Sequence, residues 1–169
     1  MGKYYHYFVE GDDDRKVVNT LKTDFQWIIS GKVDRFNVVE RTLKRTHLMN
    51  LKEGTTVILV FDTDTGNVDI LNKNIEFLKQ QSMVEDVVCI TQVENLEDEL
   101  VRSTSIREIK ELTKSRTNGQ FKTDVLRISN LKKRMEECSF DFSKFWSSKP
   151  KDCYKHIENN ANKIKKVTP

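Results

Sequence analysis

Hydrophobic residues are concentrated in short runs that alternate with longer amphipathic segments. The run 57–61 has five consecutive apolar residues and follows the turn-forming residue Gly54. A short, unbroken apolar run of this kind is typical of a strand buried on both faces, as in a parallel sheet. Further strands are predicted over 4–9, 33–39 and 84–90. Because helical patterns separate these strands, the sequence predicts an α/β fold with a parallel, four-stranded sheet flanked by helices.

Amphipathic segments between and after the strands predict the helices. The first follows the run 4–9 and has an apolar face from Val17 to Ile29. Asn67 is expected to cap a helix that continues through Gln81. The aromatic residues Phe140, Phe142, Phe145 and Trp146 are expected to pack the C-terminal helices onto the sheet. Further helices are predicted over 41–50, from Leu96 onward, over 106–112, over 121–138 and over 157–164.

Charge divides the chain into an acidic part and a basic part. Residues 1–109 have 14 lysines and arginines against 19 acids, a net charge of −5, whereas residues 110–169 have 15 against 7, a net charge of +8. The basic part suits a polyanionic ligand such as nucleic acid, although a lysine-rich solvated surface is also common. We predict an α/β core over 1–103 and a basic helical C-terminal extension over 104–169 that packs on this core.

The sequence indicates no membrane segment. It has no run of about 18 apolar residues and no signal-like N-terminus, so we expect a cytoplasmic protein. Its three cysteines are odd in number and lack a Cys-x-x-Cys spacing, which favours reduced structural thiols over disulfides or a zinc site.

Acidic residues follow two of the predicted strands, Glu10 and Asp12 to Asp14 after the first, and Asp62 and Asp64 after the third. The carboxyl ends of parallel strands meet at one edge of the sheet, so these groups are expected to cluster. Each pair of carboxylates about 5–6 Å apart repels by roughly 3 kcal/mol at an effective dielectric constant of ~20. The cluster must therefore take up protons or hold a divalent cation. A site with only oxygen ligands favours magnesium, calcium or manganese over zinc.

This order of motifs resembles the TOPRIM domain, which occurs in topoisomerases, primases, small ribonucleases and the overcoming-lysogenization-defect (OLD) nucleases. Glu10, Gly11 and Asp14 match the Glu-Gly-x-x-Asp motif of that family. Asp62 and Asp64 match its Asp-x-Asp motif. The resemblance covers roughly the first 100 residues and implies a Rossmann-like sheet. Two further aspartates within the first motif leave open which of the three would bind a metal.

Within this family, the chain is most similar to small stand-alone nucleases of the OLD type. The resemblance implies a nuclease that hydrolyses phosphodiester bonds of DNA or RNA and uses one or two Mg²⁺ or Mn²⁺ ions. Asp62 and Asp64 would be the main metal ligands, and Asp14 would complete the set. Glu10 would bind metal or act in general acid–base catalysis.

A further acidic pair, Glu97 and Asp98, follows the fourth predicted strand. OLD-type nucleases have a similar pair before an apolar helix, as part of a second metal site, which implies that role for both residues. Alternatively, Asn95 caps the following helix and the two acids only favour its N-terminus. These nucleases also use a lysine that faces the reacting phosphate, and Lys122 and Lys149 are the candidates.

The resemblance also implies partners. Nucleic acid, either DNA or RNA, would be the substrate. Stand-alone members of this size resemble toxin effectors of anti-phage defence, which are often paired with an ATPase on another chain. The sequence leaves open a homodimer, the specificity of cleavage and any activating trigger.

Three other functions fit parts of the sequence. The segment 61–65 fits the Asp-x-Asp-x-Thr nucleophile motif of haloacid-dehalogenase-type phosphatases, although that family places the motif on its first strand and Glu10 would be unexplained. A receiver-like domain would use Asp12, Asp13 and Asp62, but it also needs a lysine after a fifth strand. A TOPRIM scaffold that binds nucleic acid or a partner without cutting would tolerate loss of the acids, yet all are present.

Overall fold

A four-stranded, all-parallel sheet forms the centre of the computed structural model, which describes residues 3–166. Its strands are β1 (Tyr4–Val9), β2 (Lys32–Arg35), β3 (Thr55–Asp62) and β4 (Val84–Gln92), in the order β2-β1-β3-β4. The predicted α/β fold with a parallel four-stranded sheet flanked by helices is confirmed. The outer ends of the two predicted domains, residues 1–2 and 167–169, lie outside the described residues.

The central strand β3 is buried on both faces, as its unbroken apolar run predicts. Val57, Leu59 and Phe61 lie in one hydrophobic cluster, whereas Ile58 and Val60 lie in a second one on the opposite face. All five side chains are fully buried. Burial of a side chain of this size stabilises a fold by roughly 1.5–3 kcal/mol, so this strand anchors both layers.

Helices cover both faces of the sheet. They are α1 (Asp12–Asn19), α2 (Asp69–Lys79), α3 (Leu96–Arg102), α4 (Lys110–Thr113), α5 (Phe121–Arg127) and α6 (Leu131–Glu137). A π-helical turn, Thr20–Asp24, ends the first helical segment, and the short α4 replaces the predicted helix over 106–112. The predicted cap of α3 is confirmed, since the Asn95 side chain accepts a hydrogen bond from the backbone N–H of Asp98 at 2.9 Å. Among residues 3–166, none of the helices is long and apolar enough to cross a membrane.

The prediction of one helix over 121–138 is wrong, because the chain breaks between α5 and α6. Ile128 ends α5 in an extended conformation with ψ 119°. Asn130 then caps α6, and its side chain accepts a hydrogen bond from the backbone N–H of Lys133 at 3.0 Å. An asparagine side chain that bonds the backbone in this way favours a new helix start over continuation of the old helix.

Asparagine side chains also shift two predicted boundaries. Strand β2 ends before Asn37, whose side chain accepts hydrogen bonds from the backbone N–H groups of Val39 and Glu40 and turns the chain. The helix α2 begins at Asp69, whose backbone N–H donates a hydrogen bond of 2.8 Å to the side chain of Asn67. Asn67 therefore lies two residues before the first residue of α2 and is not its cap.

Two predicted helices are replaced by 3-10 turns. Within 41–50 the chain forms only the turn Arg45–Leu48. The predicted helix over 157–164 is wrong, because the Asn159 side chain accepts a hydrogen bond from the backbone N–H of Ala161 and starts a short turn instead. The apolar residues of this segment are nevertheless buried. Their spacing therefore predicted correctly which residues are buried, but it predicted the backbone conformation incorrectly.

The last part of the chain completes the core on both faces of the sheet. Phe142, Phe145 and Trp146 lie in the hydrophobic cluster on the α1 face, which confirms that the aromatic group packs on the sheet. Tyr154 and Ile157 lie in the cluster on the α2 face. Both clusters therefore mix residues from either side of the predicted domain boundary, and the division into two domains stays a prediction.

Candidate functional site

The carboxyl ends of three adjacent strands bring polar side chains to one edge of the sheet. Glu10 directly follows β1, Asp62 ends β3 and Gln92 ends β4. The register pairs Asp62 directly with Gln92. The first turn of α1 adds Asp14 at the same edge. We call Glu10, Asp14 and Asp62 the carboxylate cluster.

Gly11 forms the tight connection between β1 and α1. Its backbone N–H donates a hydrogen bond to Oδ2 of Asp14 at 3.0 Å. Its φ of −135° is open to any residue, but a Cβ atom here would lie 2.7 Å from Oδ1 of Asp13. A larger residue would therefore displace the Asp13 carboxylate beside the cluster.

One amide group joins two of the three cluster residues. Nε2 of Gln92 donates hydrogen bonds to Oδ1 of Asp14 and to Oδ1 of Asp62, each at 2.8 Å. Oε1 of Gln92 accepts a hydrogen bond from the indole N–H of Trp146 at 3.1 Å. Because an indole can only donate, it fixes which end of the amide faces the acids. Gln92 is fully buried and depends on these partners.

Burial and the charges of neighbouring acids raise the pKa of all three cluster carboxyl groups. Burial, followed by the charge of Asp14, raises the pKa of Glu10 to about 7. Burial, followed by the charge of Asp13, raises the pKa of Asp14 to about 7. Burial, followed by the charge of Glu10, raises the pKa of Asp62 furthest. At neutral pH the cluster therefore holds protons that a cation could replace.

The structure separates the three aspartates at the start of α1. Asp14 belongs to the cluster, and Asp13 is buried beside it. Asp12 instead forms an ion pair with Arg35 of β2 at 3.0 Å. Asp14 is therefore the aspartate of this motif that lies with Glu10 and Asp62.

Asp64 lies in the exposed loop that follows β3. Burial and the charge of Asp14 are the larger causes of the raised pKa of Glu10, and the charge of Asp64 adds to them. The loop is tied to the C-terminal part of the chain, since Oγ1 of Thr65 and the hydroxyl of Tyr154 share a hydrogen bond of 2.6 Å. Asp64 thus lies near the cluster with its side chain open to solvent.

Glu97 and Lys122 lie beside the cluster. Glu97 is in the first turn of α3, and Nζ of Lys122 in α5 lies 3.7 Å from its Oε1. Burial on its own would lower the pKa of Lys122, but the charges of nearby carboxylates raise it, in the order Glu97, Asp13, Asp62 and Asp14. The ammonium group of Lys122 is therefore paired with Glu97 and lies within electrostatic range of Asp13, Asp14 and Asp62.

The structure does not bring Asp98 or Lys149 to the cluster. Asp98 is exposed, and within residues 3–166 no hydrogen bond or ion pair joins its side chain to the cluster. Lys149 lines a cleft formed by residues between 143 and 165, and none of the cluster carboxylates lines that cleft. Of the two predicted lysines, only Lys122 lies beside the acids.

Gln92, Glu99 and Trp146 are site residues that sequence reasoning missed. Glu99 is fully buried and accepts hydrogen bonds from Arg102 and from the backbone N–H of Trp146, each at 2.8 Å. It thereby holds the tryptophan that fixes Gln92. The position of Gln92, a polar residue at the end of an apolar strand, was an available signal. The contact of Glu99 with Trp146 had none, because it joins positions 47 residues apart.

The donor set of the cluster fits a hard divalent cation, because it consists of carboxylate oxygens only. Within residues 3–166, no group of three or more histidine, cysteine or acidic side chains is already arranged to hold a metal ion. At neutral pH the raised pKa values of Glu10, Asp14 and Asp62 keep protons on the cluster, and Nε2 of Gln92 donates hydrogen bonds to two of its carboxyl groups. A cation would have to replace those protons.

Asp62→Asn is expected to stabilise the metal-free protein at neutral and alkaline pH. Asparagine can still accept the hydrogen bond from Gln92, and the substitution removes a carboxyl group that must hold a proton to stay neutral in the folded protein. Carboxyl groups with a raised folded pKa stabilise the fold below their unfolded pKa of about 4 and lose that contribution as the pH rises through the folded pKa. We expect the unfolding free energy of the variant to exceed that of wild type by about 2 kcal/mol at about pH 8, with the gap closing towards about pH 4.

Urea denaturation in the presence of EDTA across this pH range measures the difference. Asp24→Asn, which changes an exposed carboxyl group outside the cluster, is the matched control and should alter the unfolding free energy by less than about 0.5 kcal/mol at each pH. An Asp62→Asn variant that is less stable than wild type at pH 8 would contradict the assigned pKa shifts.

Comparisons of this chain with protein-family models, with curated proteins and with solved structures found no match. The resemblance to the TOPRIM domain therefore rests on the two acidic motifs and their place at the strand ends.

Proposed function

We propose that the protein is a divalent-cation-dependent nuclease of the TOPRIM type, which hydrolyses phosphodiester bonds of DNA or RNA. One observation supports this most. Glu10, Asp14 and Asp62 belong to two separate sequence motifs and converge in one partly buried cluster with raised pKa values. Buried acids destabilise a fold unless they are paired, so their convergence indicates a functional role.

The cluster supplies the ligands that Mg²⁺ or Mn²⁺ prefers. Glu10, Asp14 and Asp62 would hold one ion, and the exposed Asp64 would add a ligand from the solvent side. Glu97, half-buried beside the cluster, would contribute to a second ion. Replacing protons by a cation removes the repulsion that raises the pKa of these groups.

The side chains around the cluster suit phosphodiester hydrolysis. A bound cation would activate a water molecule and stabilise the charge on the leaving oxygen. Gln92 would keep Asp14 and Asp62 oriented, as groups behind metal ligands commonly do. The ammonium group of Lys122 would bind the reacting phosphate. A pKa of about 7 also suits Glu10 to proton exchange near neutral pH, the acid–base role that the resemblance assigns to it.

The environment of Asp62 favours a nuclease over a haloacid-dehalogenase-type phosphatase. In such a phosphatase this aspartate would be the ionised nucleophile. Here burial raises its pKa, and its carboxyl group accepts a hydrogen bond from Gln92. These contacts suit a metal ligand whose charge is compensated only when the cation is bound.

The wider biology stays a prediction. We place the protein in the cytoplasm. The proposed role as a defence effector, and its pairing with an ATPase on another chain, follow from the resemblance alone.

Cation-dependent cleavage tests the proposal directly. The purified protein is incubated with supercoiled plasmid, single-stranded DNA or RNA, in Mg²⁺, Mn²⁺ or EDTA. We expect cleavage of at least one substrate only when a cation is present. Asp62→Asn should reduce the rate by on the order of 100-fold or more, because it removes a metal ligand.

The exposed-site variant Asp24→Asn is the control and should cleave like wild type. p-Nitrophenyl phosphate is included as a small ester. Its hydrolysis without cleavage of nucleic acid would favour the phosphatase. Binding of nucleic acid without cleavage in any cation would favour a non-catalytic scaffold.

Lys122→Met should lower the single-turnover cleavage rate by on the order of 100-fold and leave Mn²⁺ affinity close to wild type. Methionine keeps the length of the side chain and removes the charge that faces the reacting phosphate. Rapid-quench cleavage and calorimetric Mn²⁺ titration separate the two effects. Lys133→Met, which changes an exposed lysine of α6, is the matched control. An unchanged rate in Lys122→Met would exclude this lysine as the phosphate ligand.

A further inference from the structure

A lysine-lined cleft in the C-terminal part of the chain has no role in the site described above. Its volume is about 650 Å³. Its lining includes three lysines, two asparagines and one buried aromatic residue: Lys149, Lys155, Lys165, Asn159, Asn162 and Trp146. Cationic and hydrogen-bonding groups therefore surround one space that could hold an anionic ligand.

The cleft has an excess of positive charge. Residues 143–166 have seven lysines and two acids, and one of these acids, Glu158, also lines the cleft. Lys149 and Lys155 are exposed, and neither forms an ion pair within the part of the chain that the structure describes. The charges of these two lysines are therefore available to a ligand.

Other cationic and polar groups of the cleft are held in place. Nζ of Lys165 donates hydrogen bonds to the carbonyl oxygens of Phe145 at 2.6 Å and Phe142 at 3.1 Å. The amide of Asn159 donates to the carbonyl oxygen of Trp146 at 2.9 Å. Groups that are already ordered lose less conformational entropy when a ligand binds.

Trp146 links the cleft to the carboxylate cluster through Gln92. Trp146 lines the cleft, and its indole N–H donates to Gln92. Gln92 in turn donates to Asp14 and Asp62. A chain of two side chains thus separates a cationic cleft from the acids proposed to cut a phosphodiester bond.

We propose that this cleft is a second phosphate-binding site, which holds the backbone of a nucleic-acid strand away from the point of cleavage. The proposal rests on the proposed function for the identity of the ligand. Lysine, asparagine and serine side chains are among the groups that contact the phosphates of nucleic acid. The two free lysines project from separate positions of one cleft, which suits successive phosphates of a strand better than a single mononucleotide.

Binding without metal tests the cleft independently of catalysis. Fluorescence anisotropy in EDTA measures the affinity of wild type for labelled 20-nucleotide single-stranded DNA and RNA. We expect Lys149→Glu/Lys155→Glu to weaken binding of at least one oligonucleotide at least tenfold. Two lost phosphate contacts should also make the slope of log affinity against log salt shallower by about 1.4, at about 0.7 per contact.

Arg107→Glu/Lys133→Glu is the matched control, because it makes the same change in net charge at two exposed residues outside the cleft. Its affinity should stay within twofold of wild type. Circular dichroism and thermal unfolding show whether both variants keep the fold. If the control loses as much affinity as the cleft variant, or the cleft variant loses none, the cleft is not the binding site.

Two further comparisons distinguish a nucleic-acid strand from a free nucleotide as the ligand, and test the cleft separately from the proposed nuclease activity. Displacement of the oligonucleotide by AMP or ATP at equal phosphate concentration would identify a free nucleotide as the ligand and overturn the strand proposal. Cleft-dependent binding in a protein that never cleaves would support the cleft and overturn the nuclease. If the protein cleaves nucleic acid in the presence of a cation, but the cleft variant binds the oligonucleotide as tightly as wild type, the cleft proposal is overturned and the nuclease proposal stands.

Discussion

Two carboxyl groups, one buried and one half-buried, share one amide donor, and the rest of the site depends on this contact. Asp14 comes from α1 and Asp62 from β3, and Gln92 at the end of β4 donates to both. The hydrogen bonds from Gln92 lower the pKa of both groups and so offset part of the burial and repulsion that raise it. The indole N–H of Trp146 fixes the amide. The C-terminal part of the chain therefore shapes the site, although it supplies none of its acids.

The environment of Glu99, a structural acid, differs from that of the carboxylate cluster. Glu99 is fully buried, and its oxygens accept hydrogen bonds from Arg102 and from the backbone N–H groups of Val93 and Trp146. Such an acid has its charge and its lone pairs satisfied within the protein. The cluster acids instead have raised pKa values, which destabilises the metal-free fold as the pH rises. A cation that binds only the folded state would restore the stability that is lost as the pH rises. The instability of the metal-free cluster is therefore expected of a cation-binding site.

The strands and the acids at their ends could be predicted, because an apolar run that is followed directly by acidic residues has one favourable position in a sheet. The apolar residues are buried and the charge stays at the edge, and the run 4–9 became a strand with the predicted limits. The C-terminal helices could not be predicted from apolar spacing. The side chains of Asn130 and Asn159 bond the backbone and break the helical pattern, while the apolar residues stay buried. Gln92 and Trp146, which are 54 positions apart, become partners only in the folded chain.

The central claim is that the carboxylate cluster binds a divalent cation in place of the protons that it holds in the metal-free protein. The release of protons on cation binding tests this claim most directly. Mn²⁺ is titrated into the metal-free protein by calorimetry at pH 7, in two buffers with different ionisation enthalpies. Glu10 and Asp14 have pKa values of about 7, and that of Asp62 is raised further. We therefore predict that binding releases about one or two protons, and that the heat differs between the buffers accordingly. Binding with the same heat in both buffers, or no binding at all, would contradict the account.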